Sequence, residues 1–343
     1  IYQLPVDYCG GNRGVLESGH GRTRGKIIWI VKDRSQFMAV CGAVDIGGTK
    51  IRLGIVETGG RILAEKKLST RMGRDGALCN LQELRDGFLE LCQTAGTRYE
   101  ELEGIGIVCT GPVNCIDGVI ENPYTLPGWE GLRICERLKE ETGKDVFLEH
   151  DVNGALLGEI ETHGLENQRV LMACFGTGIG VAVYDYDNRL YRAGHKYHPE
   201  LGHMVIDNTV GAADTSCYCG QRGCFESLWS QTALNERAVR AGYEDFDGLY
   251  RSWVAGEAEA KEPMDVLCRY FQRGMWNLLL AFKPDVVILG GGVMENYYFL
   301  AADLLRRLAA GREDFLEDFE ILPAGQEGSS ALIGASVLVF GNQ

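Results

Sequence analysis

No stretch of the chain is apolar over the ~18 positions that a membrane-spanning helix needs, and no cleavable secretory signal is visible. Positive charge is also short. Lys and Arg number 34 against 48 Asp and Glu, a formal net charge of −14. That balance argues against nucleic-acid binding by bulk electrostatics, while a local basic patch stays compatible with it. A disulfide framework is missing: outside one short cluster, the 12 cysteines are scattered without pattern, which fits a reducing cytoplasm. Two common nucleotide loops are absent as well, GxxxxGK[ST] and a GxGxxG that opens a helix.

The 343 residues suffice for about two domains with a sizeable core, and 45% hydrophobic with 24% charged residues is ordinary for a globular protein. The one dense cysteine cluster is Cys217-x-Cys219-x-x-x-x-Cys224, in a turn containing Gly220 and Gly223, with His203 upstream. Three thiolates and an imidazole suit a closed, tetrahedral, structural Zn²⁺ site. Glu200 lies just before His203 and Glu226 just after Cys224, so a zinc clip would fix two carboxylates near one another, ready to accept hydrogen bonds from a polyhydroxyl ligand.

Residues 1–37 differ in composition, with Arg13, Arg22, Arg24, Lys26, Lys32 and Arg34 and few acids; 14–25 reads as a glycine-punctuated hairpin followed by a strand at 26–31. From Ala43 onward strands alternate with helices, which predicts mostly parallel sheets with helical cover. Predicted strands lie at 43–46, 51–56, 105–108, 146–149, 170–175, 181–184 and 286–289. Predicted helices lie at 80–94, 132–142, 153–163 and 264–282. The unit strand, Gly/Thr-rich turn, returning strand occurs at 43–56 and again at 170–184, which suggests two related lobes, each with a phosphate-facing hairpin.

Asp45-Ile46-Gly47-Gly48-Thr49-Lys50 sets a carboxylate at a strand end beside a glycine turn and a hydroxyl. Glycines let backbone N–H groups approach phosphate oxygens, and the Asp can hold Mg²⁺, usually through water. Lys50 reads as a phosphate partner or a solvated strand residue. Gly176, Thr177 and Gly178 offer the same physics from the second lobe, and Gly290, Gly291 and Gly292 let a flat nucleotide lie against backbone. All three turns end apolar strands, where ligands of open α/β folds sit. Asp151, between a strand and a helix, reads as a general base on a hydroxyl or as a helix N-cap. His150 contacts substrate or packs. The loop Glu121–Trp129 could hold sugar hydroxyls through Asn122. His20, His163, His195 and His198 show no partner pattern and read as non-functional.

These motifs together (the DIGGTK turn, the 121–129 loop, 149–159, Glu200–His203, Cys217–Glu226 and 289–293) resemble the ROK family of repressors, open reading frames and kinases. The resemblance runs from about residue 39 to the C-terminus. It implies an α/β, two-lobed, actin-like ATPase (sugar kinase/Hsp70) fold with ribonuclease-H-like lobes and an interlobe cleft. The expected division is 1–37 as a wing-like segment, 38–155 plus 328–343 as a small lobe, and 156–327 as a large lobe carrying the zinc. The implied activity is phosphorylation of a hexose 6-hydroxyl by Mg-ATP, with Asp151 as base. Asn122, His150, Glu200, His203 and Glu226 would line the sugar, Asp45 to Lys50 and Gly176 to Gly178 would face phosphates and Mg²⁺, and Gly290 to Gly292 would border adenosine. Family kinases usually have Asn where His150 stands; His-Asp resembles some of the repressors, and residues 14–33 resemble the β-wing of the family's regulators. The alternative is therefore a sugar-responsive repressor whose DNA-reading helices lie outside this sequence, with DNA as a partner only if a helix-turn-helix precedes residue 1. The resemblance also implies a homodimer or homotetramer.

Overall fold

A computed structural model describes residues 38–194, 197–209, 215–325 and 329–341. The basic segment with its wing-like hairpin, His20, His195 and the 327/328 lobe edge lie outside the described residues.

Among the described residues two large sheets form the frame. The first has strands β1 (Val40–Ile46), β2 (Lys50–Glu57), β3 (Ile62–Ser69), β4 (Leu102–Cys109) and β7 (Val146–His150), in the order β3-β2-β1-β4-β7. A small hairpin of β5 (Val113–Asn114) and β6 (Val119–Ile120) follows β4. The second sheet has β8 (Val170–Phe175), β9 (Ile179–Tyr184), β10 (Val286–Gly290) and β11 (Glu320–Pro323), in the order β11-β10-β8-β9. Both sheets are mixed: parallel pairs join β1, β4 and β7 in the first and β8, β10 and β11 in the second. The β1–β2, β2–β3 and β8–β9 pairs are antiparallel, because each glycine turn returns the chain beside the strand it left.

Helices fill three layers around the sheets. Helices α1 (Arg74–Ala95) and α2 (Ile134–Thr142) cover one face of the first sheet. In α1 the buried Ala77, Leu81, Leu84, Phe88 and Leu91 recur at helical spacing, and Gly96, at φ 71°, ends it with a left-handed cap. Helices α3 (Asp151–His163) and α9 (Ser329–Phe340) lie between the sheets; α3 packs on the second and α9 on the first. Helices α4 (Phe225–Trp229), α5 (Gln231–Arg240), α6 (Phe246–Val254), α7 (Ala258–Phe282) and α8 (Gly292–Ala309) cover the far face of the second sheet. The α7 helix starts ahead of Pro263, earlier than its apolar spacing alone predicts.

Strand alternation sorts the faces. In β1, Val44 and Ile46 join the α1 core, whereas Cys41 and Ala43 face α9. Asp45 shares the parity of Cys41 and Ala43, so it stands on the inner face, toward the second sheet. The two inner helices meet almost backbone to backbone: a Cβ on Gly334 would lie 1.7 Å from the Gly154 carbonyl oxygen, and one on Gly158 would lie 2.0 Å from that of Ser330. Among the described residues no helix is long and apolar enough to cross a membrane.

Candidate active site

Three parallel strands end at one level. The register pairs Asp45 with Val108 and Ile46 with Cys109, then Val108 with Glu149 and Cys109 with His150. Segments far apart in sequence thus bring Asp45, Thr110, His150 and Asp151 together at one sheet edge, where α/β folds bind ligands. Burial raises the pKa of Asp45 to about 7, the charge of Asp151 adds to the rise, and Arg52 opposes it. Two carboxylates therefore share this edge.

The turn after β1 is held by Gly47 N–H donating to the Lys50 carbonyl (2.9 Å) and by Thr70 Oγ1 donating to the Gly47 carbonyl (2.7 Å). Thr49 and Lys50 are exposed. A Cβ on Gly48 would come within 3.1 Å of the Thr125 carbonyl, so this turn and the 121–129 loop approach closely. Asn122 organises that loop. Its Nδ2 donates to the Thr110 carbonyl (3.1 Å) and Thr125 Oγ1 (2.7 Å), and its Oδ1 accepts from Tyr124 N–H (2.9 Å) and Thr125 N–H (3.0 Å). Two donors and two lone pairs are the whole capacity of the amide. Asn122, expected at the sugar, is buried in this structure with its amide engaged by the loop.

From the second sheet, Gly176 to Gly178 form the β8–β9 turn, closed by Gly176 N–H on the Gly178 carbonyl (2.9 Å). A Cβ on Gly180 would strike Val152 at 2.4 Å, which sets this hairpin against the start of α3, next to Asp151. Glu226 reaches across: its Oε2 accepts from Ile179 N–H at 2.8 Å. Gly291, at φ 85°, is wedged against the Phe175 backbone, so the turns at 176 and 291 abut. Beside Gly292 opens a cavity of about 200 Å³ lined by Gln231, Asn235, Phe246, Asn296 and Tyr297 among others, none of which the sequence had singled out.

The ligand atoms of His203, Cys217, Cys219 and Cys224 all lie within 4.8 Å of one another. Cys217 Sγ is 3.2 Å from His203 Nδ1, and Cys219 Sγ is 3.6 Å from Cys224 Sγ. A tetrahedral Zn²⁺ with standard Zn–S and Zn–N bonds spaces its ligands by roughly 3.5–3.8 Å, so this donor set fits the ion in type and spacing. The loop is tightly folded: Cys217 N–H bonds the Gln221 carbonyl (2.9 Å), and Gly223 passes so close to Asp207 that a Cβ would lie 1.7 Å from its carbonyl. His203 turns Nδ1 toward the cluster and Nε2 toward the Tyr218 hydroxyl (2.9 Å). Tyr218 in turn packs against Tyr124 of the 121–129 loop, ring centroids 5.4 Å apart. Tyr218 was missed, although its place inside Cys-x-Cys could have drawn attention to it.

Asp151 opens α3. Its Oδ1 accepts from Val152 N–H (2.7 Å) and lies 3.0 Å from His150 Nδ1. His150 stands at the N-cap position of the helix, its Nδ1 3.3 Å from Val152 N, whose shorter acceptor is Asp151 Oδ1. Burial lowers the pKa of His150, but Asp151 outweighs it, with Glu200 and Glu149 adding, and the net direction is up. Glu200 is thus close to His150, while its own carbonyl accepts from His203 N–H (3.1 Å). His198, read as non-functional, is buried with its ring stacked on His150 at 3.9 Å and 9°. Behind it, Glu149 pairs with Arg192, which the sequence reading also passed over. No spacing signal marks either residue. His163 pairs with Glu159 at the far end of α3, away from the cleft (3.2 Å).

The architecture is the two-lobed, actin-like ATPase (sugar kinase/Hsp70) fold. The chain belongs to the ROK family, whose profile matches residues 41–342. It is 31% identical to the ROK hexokinase of Thermus thermophilus, with 88% of this chain and 98% of that one aligned at a TM-score of 0.73. It is 26% identical to a ROK family glucokinase of Streptomyces griseus solved with glucose and AMPPNP, covering 87% and 98% of the two chains at a TM-score of 0.65. It is also 26% identical over 245 residues to the xylose repressor of Bacillus subtilis, covering 70% of this chain and 61% of the repressor.

Proposed function

We propose that this protein transfers the γ-phosphoryl group of Mg-ATP to the 6-hydroxyl of a hexose of the glucose or N-acetylhexosamine type. The observation that carries the reading is the convergence of Asp45 and Asp151 on one sheet edge, opposite the glycine turn at 176–178. Kinase relatives, one solved with a sugar and an ATP analogue, support the same reading.

In this reading Asp151 accepts the proton of the attacking hydroxyl. Asp45 and the 47–49 turn, with Lys50 at its edge, face the phosphates and Mg²⁺, and Gly176, Thr177 and Gly178 face them from the other side. The ion supplies charge neutralisation; the chain supplies position and fixed dipoles. The cavity beside Gly290 to Gly292 takes adenosine. His150, Glu200, His203 and Glu226 line the sugar, and a structural Zn²⁺ on His203, Cys217, Cys219 and Cys224 holds two of them in place. The lobes are 38–155 with 328–343, and 156–327, so the boundary falls within α3.

The test is ADP release from Mg-ATP with glucose, N-acetylglucosamine, N-acetylmannosamine, mannose and fructose, with Asp151→Asn as control. Sugar-dependent turnover that falls by orders of magnitude in the control is the expected result. The xylose repressor likeness favours a second reading, a sugar-responsive regulator. No turnover with any sugar, while one of them raises the melting temperature, would move the assignment there.

A further inference from the structure

The start of α3 carries a chain of contacts that the transfer reaction as described does not use. Glu149 is paired with Arg192 and accepts from Asn153 Nδ2 at 2.9 Å. An ionised carboxylate only accepts, so the amide of Asn153 has one orientation, and its Oδ1 faces His198 Nδ1 at 3.0 Å. That ring nitrogen must therefore carry the hydrogen. His198 is fixed in plane and tautomer from one side, and its flat face lies on His150. His150 Nδ1 in turn lies 3.0 Å from Asp151 Oδ1, closer than its 3.3 Å to Val152 N–H, which has the shorter acceptor in Asp151 Oδ1.

We propose that His198 is a positioning residue for the base: anchored through Asn153 to the Glu149–Arg192 pair, it holds the His150 ring so that Nδ1–H donates to Asp151 Oδ1 and leaves Oδ2 to take the substrate proton. The proposal rests on the kinase reading. The titratable and charged groups around the two rings are Asp151, Glu149, Glu200 and Arg192. Two imidazolium rings stacked this closely would repel, so the pair holds one proton charge at most. Burial, His150 and Arg192 all lower the pKa of His198, while Asp151 draws the proton to His150. A hydrogen bond from His150 to Oδ1 fixes the rotation of the carboxylate and so decides which of its oxygens faces the attacking hydroxyl.

The experiment compares wild type, His198→Ala and His198→Phe in hexose-dependent ADP release across pH, beside ¹⁵N NMR of the histidine rings in the wild type. His198→Ala should lower kcat by about 10- to 100-fold, as expected of a displaced catalytic group. KM for sugar and ATP should hold within about twofold, so that the loss falls on kcat alone. His198→Phe keeps a flat ring without the N–H and should fall between. Folded variants with wild-type kcat would overturn the proposal, and so would an NMR spectrum in which His198 Nδ1 lacks a hydrogen. The spectrum decides even if neither variant folds. A wild type without turnover defeats the kinase reading and this proposal together; an active wild type indifferent to both substitutions defeats this proposal alone.

Discussion

Arg192→Met is the substitution whose cost follows most directly from the structure. The Glu149 side chain is 2% exposed and Arg192 27%. Removing one partner of a buried ion pair leaves a charge stranded in low dielectric, which typically costs about 3–5 kcal/mol. Glu149 would keep the His150 N–H (2.8 Å), Asn153 Nδ2 (2.9 Å) and the Cys115 thiol (3.3 Å), so the low end, about 3 kcal/mol, is expected. Urea unfolding at pH 7 would read this as a lower midpoint at unchanged slope. The pH dependence gives a second, independent sign. In the wild type, burial raises the Glu149 pKa, but Arg192 and the hydrogen bonds outweigh it and the net direction is below 4.5. Its contribution to stability is then fully present above 4.5 and is lost as pH falls through the depressed folded value. Without Arg192 the burial effect wins, the folded value rises above the unfolded one, and acid no longer removes that contribution. The gap between variant and wild type should therefore narrow on acidification from pH 7. A gap under about 1 kcal/mol at pH 7, the size of a surface pair, would refute the reasoning, as would a gap that widens toward acid.

Gly291→Ala forces a side chain into a backbone conformation that glycine alone adopts easily, with a Cβ 2.4 Å from the Phe175 carbonyl oxygen; thermal unfolding should show a loss of at least about 1–3 kcal/mol, and an unchanged melting temperature would count against the abutting turns. Cys219→Ser should lose bound metal and sugar affinity together, checked by elemental analysis and calorimetric titration; purified wild type free of zinc would remove the metal assignment. Asn122→Ala leaves the Tyr124 and Thr125 amides without their acceptor, at about 1–3 kcal/mol, and hydrogen exchange in the 121–129 loop should quicken; unchanged exchange would show that the loop is held by something else.

What the sequence disclosed was whatever repeats or clusters at short range. The Cys217–Cys224 spacing announced four ligand atoms that do converge, and three apolar strands running into glycine turns announced the sheet edges they form. The strand β3 carried no such mark: its residues alternate between partly buried and exposed at the rim of the first sheet, too weakly apolar to stand out. His198 and Arg192 were illegible for another reason. Their partners, Asn153 and Glu149, lie 45 and 43 residues away, and only the return of the chain past α3 brings them together. The hydrogen bonds by which Asn122 ties the 121–129 loop to Thr110 were equally illegible, because a polar loop residue has a choice of partners and the choice is made by backbone geometry that composition does not reveal.

The contact between α3 and α9 bears on anyone wishing to engineer a hardier protein. Replacing a helical glycine with alanine is an ordinary stabilising step, gaining about 0.4–1 kcal/mol where the methyl fits. Here Gly158 and Gly334 have neighbouring backbone where the methyl would go, Gly154 has the Val108 side chain 2.1 Å away, and Gly274 of α7 has the Phe225 ring 2.5 Å away. Gly248 in α6 is different: the new methyl would meet Asp245 at an ordinary 3.5 Å. The positions that look alike in a helical-propensity table thus divide into a safe one, one blocked on the outer face of the second sheet, and three that would prise the two sheets apart, and with them the two halves of the site.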